Sequence, residues 1–145
     1  MSGVTIREFR MGDYEAVLQL WQEADIPSRP AGRDSRESLV RELAWGAAQF
    51  LVAEDEGVVV GAVLGTHDGR KGWVNRLVVA PEHRGRGLAR RLVHDVEEAL
   101  AARGFEIVAC LIETPNTGSM RFFEKLGYMR ADDIVYYSKR QRPES

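Results

Sequence analysis

Between residues 73 and 112 the spacing of the apolar residues switches from a period of two to 3.6 and back, and this switch limits the possible folds more than any other stretch. Residues 73–79 (Trp-Val-Asn-Arg-Leu-Val-Val) read as a strand. From Gly87 onward Leu88, Leu92, Val96 and Leu100 recur on one helical face until Arg103-Gly104 ends it, and residues 107–112 read as a buried-type strand. Two strands joined through a helix and lying in one sheet must run parallel. Upstream, the β-rich runs 50–53 and 58–64 are parted by the acidic turn Glu54-Asp55-Glu56-Gly57, and Asp68-Gly69-Arg70-Lys71-Gly72 separates off 73–79. Such short turns give an antiparallel meander, so the sheet is mixed and helices pack on it.

The rest of the chain extends this pattern. Residues 5–9 form a short strand, and Asp13 then caps a helix carrying Tyr14, Val17, Leu18 and Trp21 at helical spacing. The run Ile26-Pro27-Ser28-Arg29-Pro30-Ala31-Gly32 is a loop, because two prolines and a glycine stop helix and central strand alike. Asp34 and Glu37 stand at capping-box spacing before a second helix with Leu39, Val40 and Leu43, ending near Gly46. After Pro115-Asn116 a short helix turns Met120, Phe123 and Leu126 inward and stops at Gly127, with strands near 128–130 and 134–138. The expected order is β-α-α-β-β-β-α-β-α-β-β, an α/β (α+β) domain over residues 1–145 with a mixed, mostly antiparallel sheet of about seven strands. A length of 145 residues suits one core.

Charge and composition exclude several function classes. Twenty Lys+Arg against 22 Asp+Glu leave no overall basic field to gather nucleic acid or anionic lipid, so any anion site is local. Cys110 is the only cysteine, and His67, His83 and His94 are too scattered for a helical metal-ligand pair, so no metal is implied. No apolar run approaches the roughly 20 residues of a membrane span, and no leader-like segment opens the chain, which makes the cytoplasm the default location.

The local anion site is Arg84-Gly85-Arg86-Gly87-Leu88-Ala89-Arg90, just past a strand and on the first turn of a helix. There, unpaired backbone N–H groups and the positive end of the helix dipole attract phosphate. Gly85 and Gly87 let a ligand approach the backbone, and Arg84, Arg86 and Arg90 add charge, an arrangement suited to a diphosphate. The plainer alternative is a tight turn beside solvated arginines. A nucleotide triphosphatase loop would need Gly-Lys-Ser/Thr where Gly87-Leu88-Ala89 stands, and a dinucleotide fingerprint would need Gly or Ala at Arg90.

The run from Leu77 to Ala89 (Leu-Val-Val-Ala-Pro-Glu-His-Arg-Gly-Arg-Gly-Leu-Ala) resembles the acetyl-coenzyme A motif of the GNAT superfamily, with Arg84, Gly87 and Ala89 in its three fixed places. Asn116 followed by Phe123-Glu124-Lys125-Leu126-Gly127-Tyr128 is similar to the superfamily's second conserved segment. In element order the resemblance runs from Thr5 to about Lys139, and it is greatest to the small RimI-like and YpeA-like bacterial enzymes. It implies a single GNAT domain with helices on both faces of the sheet, and an enzyme that moves an acetyl group from acetyl-CoA to an amine by direct attack. It further implies that the backbone of Leu77, Val78 and Val79 pairs with the pantetheine arm like an added strand. Amides from Arg84 through Gly85, Arg86, Gly87 and Leu88 to Ala89 would hold the pyrophosphate, and Asn116 and Phe123 would flank the thiol end. Asn116 can equally be a helix cap.

The pattern departs from the family where related enzymes carry a general acid and base. Phe123 stands for a tyrosine and Leu111 for a glutamate, and neither side chain moves a proton. Glu113, two residues beyond Leu111 on the same face of an extended strand, is the replacement base, or else a solvated carboxylate. Asn75 is the alternative, holding a water, and Tyr128, Tyr136 or Tyr137 could supply the acid. Cys110, with no base near it in sequence, is expected to be a small hydrophobe. The loop after the first helix, with Trp21, Arg29, Arg33 and Asp34, would wall the acceptor cleft, and Arg29 and Arg33 suit an acceptor carboxylate or phosphate. The expected acceptor is a small-molecule or peptide amine. No nucleic acid or membrane is expected as partner, and a homodimer is admitted. The competing reading is a coenzyme A-binding sensor or interaction module without turnover.

Overall fold

Strands form where aliphatic and β-branched residues alternate, and turns form at the glycine-bearing acidic stretches between them. The computed structural model describes residues 3–145. Along the chain β1 (Val4–Glu8) leads into a 3-10 turn at Met11–Asp13 and α1 (Tyr14–Glu23). After a loop come α2 (Arg36–Trp45), β2 (Ala48–Asp55), β3 (Val58–His67) and β4 (Gly72–Val79). A second 3-10 turn, Pro81–His83, then precedes α3 (Leu88–Ala102), β5 (Val108–Ala109) and α4 (Thr117–Lys125). The sheet has five strands in the order β1-β2-β3-β4-β5. Its first three pairings are antiparallel and β4 pairs β5 in parallel. This is the mixed sheet expected from the period switch.

The two faces of the sheet carry different helices because alternate residues point to opposite sides. On one side Phe50 stacks between Phe9 and Trp21 of α1, with ring centroids 4.2 and 6.2 Å away. On the other lies α3, whose stripe of Leu88, Leu92, Val93, Val96 and Leu100 is at most 1% exposed. Each such side chain contributes about 1.5–3 kcal/mol when fully buried. The close seat of α3 depends on missing side chains: a Cβ on Gly72 would come within 2.7 Å of Leu100, and one on Gly65 would overlap Val96.

The sheet is shorter than the sequence suggests. Among the described residues five strands form, not about seven, and the final two of the expected order are absent: residues 128–130 and 134–138 join no strand, and Ile134 to Tyr137 are exposed. The strand expected over 107–112 is reduced to Val108–Ala109, which leaves no ladder for a following hairpin. β-propensity is realised only against a neighbouring strand, so these β-rich runs have nothing to pair with. Two caps also differ. Asp13 makes no side-chain cap bond to α1; its carboxylate accepts from the Arg10 amide and from both Arg7 amino groups at 2.8–2.9 Å. Ser35, not Asp34, caps α2 by accepting from the Ser38 amide at 3.2 Å, because the Asp34 side chain is engaged inside the protein.

Two irregularities in β4 shape the site. Val78 pairs with Ala62 and Asn75 with Leu64, so Arg76 and Leu77 together stand opposite Val63, and Arg76 has a left-handed φ of 53°. This is a β-bulge. On the other edge, parallel pairing with β5 covers only Gly72–Val108 and Trp73–Ala109, and among the described residues no strand lies beside 74–79. The ladder ends there, leaving the rest of β4 and the chain after β5 as two arms that no longer pair.

Candidate acetyl-donor site

The unpaired stretch of β4 leads directly into the glycine-arginine turn. Ala80 is fixed by its amide bonding to Val60 O at 2.8 Å, and His83 Nε2 lies 2.9 Å from Asp55 Oδ2, which moors the Pro81–His83 turn to the end of β2. Gly85 and Gly87 adopt φ of 76° and 79°, and Gly87 is the N-cap of α3. With no side chain there, nothing from the cap residue satisfies the first helical amides, and the first turn holds no acidic residue. Those amides therefore remain available to an anion. A Cβ on Gly85 or Gly87 would meet no protein atom within 4 Å, so both glycines open outward. Leu88 is buried and anchors the turn to the core, whereas Arg86 and Arg90 are exposed beside it. Arg84 is used differently: its Nε donates to Val79 O at 2.9 Å, folding the side chain back across the end of β4.

The residues expected at the thiol end are less closely assembled. Asn116 caps α4, its Oδ1 accepting from the Ser119 amide at 3.1 Å. Phe123 is a core residue, edge-on to Phe122 and Tyr128 at 5.1 and 5.0 Å. Glu113 does not sit on an extended strand, because β5 stops at Ala109; it lies exposed in the coil leading to α4. Asn75, half-buried on β4, donates from Nδ2 to Thr66 Oγ1 at 3.2 Å. Thr66 in turn lines a cavity of about 800 Å³ between α2 and β3, together with Glu42 and Trp45. The cavity includes none of the phosphate-turn residues.

Four candidate proton donors or nucleophiles are placed by their surroundings. Tyr128 donates to Glu97 Oε2 at 2.6 Å, and burial together with that carboxylate raises its phenol well above the ordinary range. Tyr136 and Tyr137 are exposed. Burial pushes the Cys110 thiol up to about 11, so it stays protonated at neutral pH.

On the α1 face the structure reveals a cluster that the sequence shows only in part. Arg76 Nη1 lies 2.5 Å from Asp34 Oδ1, and its guanidinium sits 5.0 Å from the Trp21 ring centroid. Glu42 is close by, its carboxyl raised first by burial and then by Asp34. Trp21 and Asp34 are buried, so neither walls an open cleft as expected from the loop. Arg76 was traceable as the one charged residue of β4.

The model of the acetyltransferase (GNAT) family matches residues 14–128. The chain belongs to that family. An acetyltransferase of Sodalis glossinidius is 37% identical over 135 residues, 93% of this chain and 94% of the relative. One of Photorhabdus laumondii is 38% identical over 136 residues, with the same coverage. Among solved structures, the fold is similar to the PaiA N-acetyltransferase of Thermoplasma acidophilum in complex with coenzyme A. That likeness has a TM-score of 0.78 at 21% identity, over 92% of this chain and 94% of the other. The GNAT chain described here is thus an acetyltransferase with acetyl-CoA as donor, and its unpaired β4 edge and glycine-arginine turn lie within the matched residues. No helix among the described residues is long and apolar enough to cross a membrane.

Proposed function

We propose that this GNAT protein transfers the acetyl group to a primary amine by direct attack within a ternary complex, with the donor held along β4 and the N-terminus of α3. The observation that carries this reading is the unpaired edge of β4 from residue 74 to 79, continuous with an acid-free helix N-terminus. An amide-bearing arm satisfies such an edge by strand-like pairing, which suits Leu77, Val78 and Val79. The amides from Arg84 to Ala89 suit a pyrophosphate, with Arg86 and Arg90 supplying exposed charge and Arg84 bracing the strand end. Asn116 and Phe123 belong to the opposite arm, where the cap of α4 and its buried ring shape the thiol end.

In this reading the enzyme supplies mainly proximity and a route for the proton. An α-amine has an unperturbed pKa of about 7.7–8.0 and a lysine about 10.4, so part of any such acceptor is protonated near neutral pH. Glu113, free in solvent at the end of the β5 arm, takes that proton through water, while Asn75 and Thr66 order the acceptor side. The acceptor is a small-molecule or peptide amine.

The test combines binding with turnover. At one hundred times its Kd, acetyl-CoA is expected to stabilise the fold by about 2.7 kcal/mol, read as a rise in Tm. An acetyl-transfer screen over amines and peptides should then find turnover. No thermal shift at millimolar acetyl-CoA would remove the donor site, and binding without turnover on every amine would favour a coenzyme A sensor.

A further inference from the structure

The bulge in β4 is held from outside the strand. Arg76 is a non-glycine residue at φ 53°, a region that L side chains rarely occupy, and its side chain is only 13% exposed. It runs into the α1 face, where Arg76 Nη1 approaches Asp34 Oδ1 at 2.5 Å and the guanidinium covers Trp21. The contact is an ion pair between two largely buried side chains. Asp34 is itself fixed from several sides. Its Oδ2 accepts from the Arg29 amide at 2.6 Å, its own amide donates to Arg29 O at 2.9 Å, and its carbonyl accepts from Tyr14 Oη at 2.7 Å. One buried carboxylate therefore joins the loop between α1 and α2 to the bulge.

We propose that the Arg76–Asp34 pair is a strut that sets the register of β4, making Arg76 a positioning residue for acetyl transfer. The inference rests on the reading that the edge of β4 receives the donor arm. Leu77 is the second residue of the bulge and the first of the three whose backbone meets that arm. If Arg76 relaxes to ordinary extended backbone, the side chains and amides beyond it are redirected, since a one-residue slip in a strand reverses its faces. The phosphate turn, held separately by Ala80, His83 and Leu88, stays in place. A buried ion pair is seldom kept for stability alone, because apolar replacements of similar volume often do as well. Its position across the bulge gives it a geometric use.

Arg76→Met, Asp34→Asn and the double variant test the strut. Misplacing reacting groups by about an ångström can cost on the order of a hundredfold, so kcat should fall by roughly ten- to a hundredfold. The KM for acetyl-CoA should rise several-fold as well, because the redirected amides beyond Arg76 are the ones that meet the donor arm in the ground state, while the separately held phosphate turn keeps part of the affinity. The double variant should fall no further than the worse single variant, since both break one linkage. Arg76→Lys, which keeps the charge, should recover part of the rate. Hydrogen exchange supplies a readout independent of any acceptor: amides of residues 76–78 should exchange faster in the variants while β2 and β3 are unchanged. If Arg76→Met does not fold, the near-isosteric Asp34→Asn decides. Folded Asp34→Asn with wild-type kcat and wild-type exchange at 76–78 would overturn the strut. Failure of wild type to bind acetyl-CoA would overturn the donor-site reading, and the exchange comparison would still decide whether the pair holds the bulge.

Discussion

The junction of β4 with α3 and the stretch that follows β5 are the two arms of the proposed site, and they are built from different materials. The first arm uses groups common to nearly every residue: strand-edge amides, helical N–H groups and two glycines at positive φ, all fixed by a helix whose inward stripe is at most 1% exposed. The second arm uses particular side chains on a backbone with little regular structure. Glu113 and Asn116 are exposed, α4 buries only Phe123, and Ile134 to Tyr137 lie open to solvent. A site made of backbone is as rigid as the elements that end there. A site made of exposed side chains inherits no such rigidity.

Glu113→Gln is the widest probe of that contrast, because general-base assistance is typically worth about 10² to 10⁴ in rate. At neutral pH kcat should drop by about a hundredfold or more, and raising the pH should recover part of it as solvent deprotonates the amine. The Kd for coenzyme A should not change. A variant equal to wild type across pH would show that the second arm contributes shape alone. On the first arm, Gly87→Val is the sharper cut. A β-branched residue at φ 79° is strained wherever its side chain points, and such strain costs about 1–3 kcal/mol. Relieved by moving the turn, it should weaken acetyl-CoA binding by roughly 5- to 150-fold, measured by calorimetry. Unchanged affinity would mean that the turn serves only to connect strand and helix.

The same division explains what the sequence made readable. The period switch from 73 to 112 and the spacing of Arg84, Gly87 and Ala89 reveal the parallel crossover and the phosphate turn, because both follow from local backbone rules. The two missing strands were misjudged because β-rich residues such as Ile134 and Tyr136 carry propensity but no information about whether β5 is long enough to pair with them. Glu113 was placed on a strand face for the same reason. The Asp34–Arg76 pair joins residues far apart in the chain, and capping-box spacing assigned Asp34 to a helix that Ser35 caps instead. Long-range partners of charged side chains have no periodicity to betray them.

A smaller effect is expected where the fold is tied down remote from both arms. The Arg7 guanidinium holds the Asp13 carboxyl below its ordinary range, outweighing burial, which acts in the opposite direction. Because the folded-state pKa is the lower one, this stabilisation is complete above the ordinary aspartate value near 3.9. It is lost as the pH falls from there through the folded value. Asp13→Asn should reduce stability at neutral pH by about 1.5–3 kcal/mol, the usual range for hydrogen bonds to a charged group. Urea denaturation at pH 7 and pH 3 should show the gap between variant and wild type narrowing at the lower pH. Acetyl-CoA affinity below the unfolding transition should be the same in both, keeping stability separate from the donor site.

The least effect is expected at Cys110, which follows the last residue of β5 and lies nearer the reacting centre of the proposed site than Asp13 does in sequence. A thiol there invites a covalent acetyl-enzyme route. Acyl transfer to sulfur needs the thiolate, and burial raises this thiol to about 11, so at neutral pH only a fraction on the order of 10⁻⁴ is ionised. Among the described residues no hydrogen bond pairs its sulfur with a base, and direct attack by the amine needs no nucleophile from the protein. Cys110→Ala should therefore leave kcat within about twofold of wild type, a change too small to be the loss of a transition-state group. Initial rates with both substrates varied should give intersecting lines, and intact-protein mass spectrometry should show no acetylated enzyme after mixing with acetyl-CoA alone. Parallel lines, or a thioester trapped at Cys110, would transfer the chemistry to the β5 arm and reverse the order of the two arms in importance.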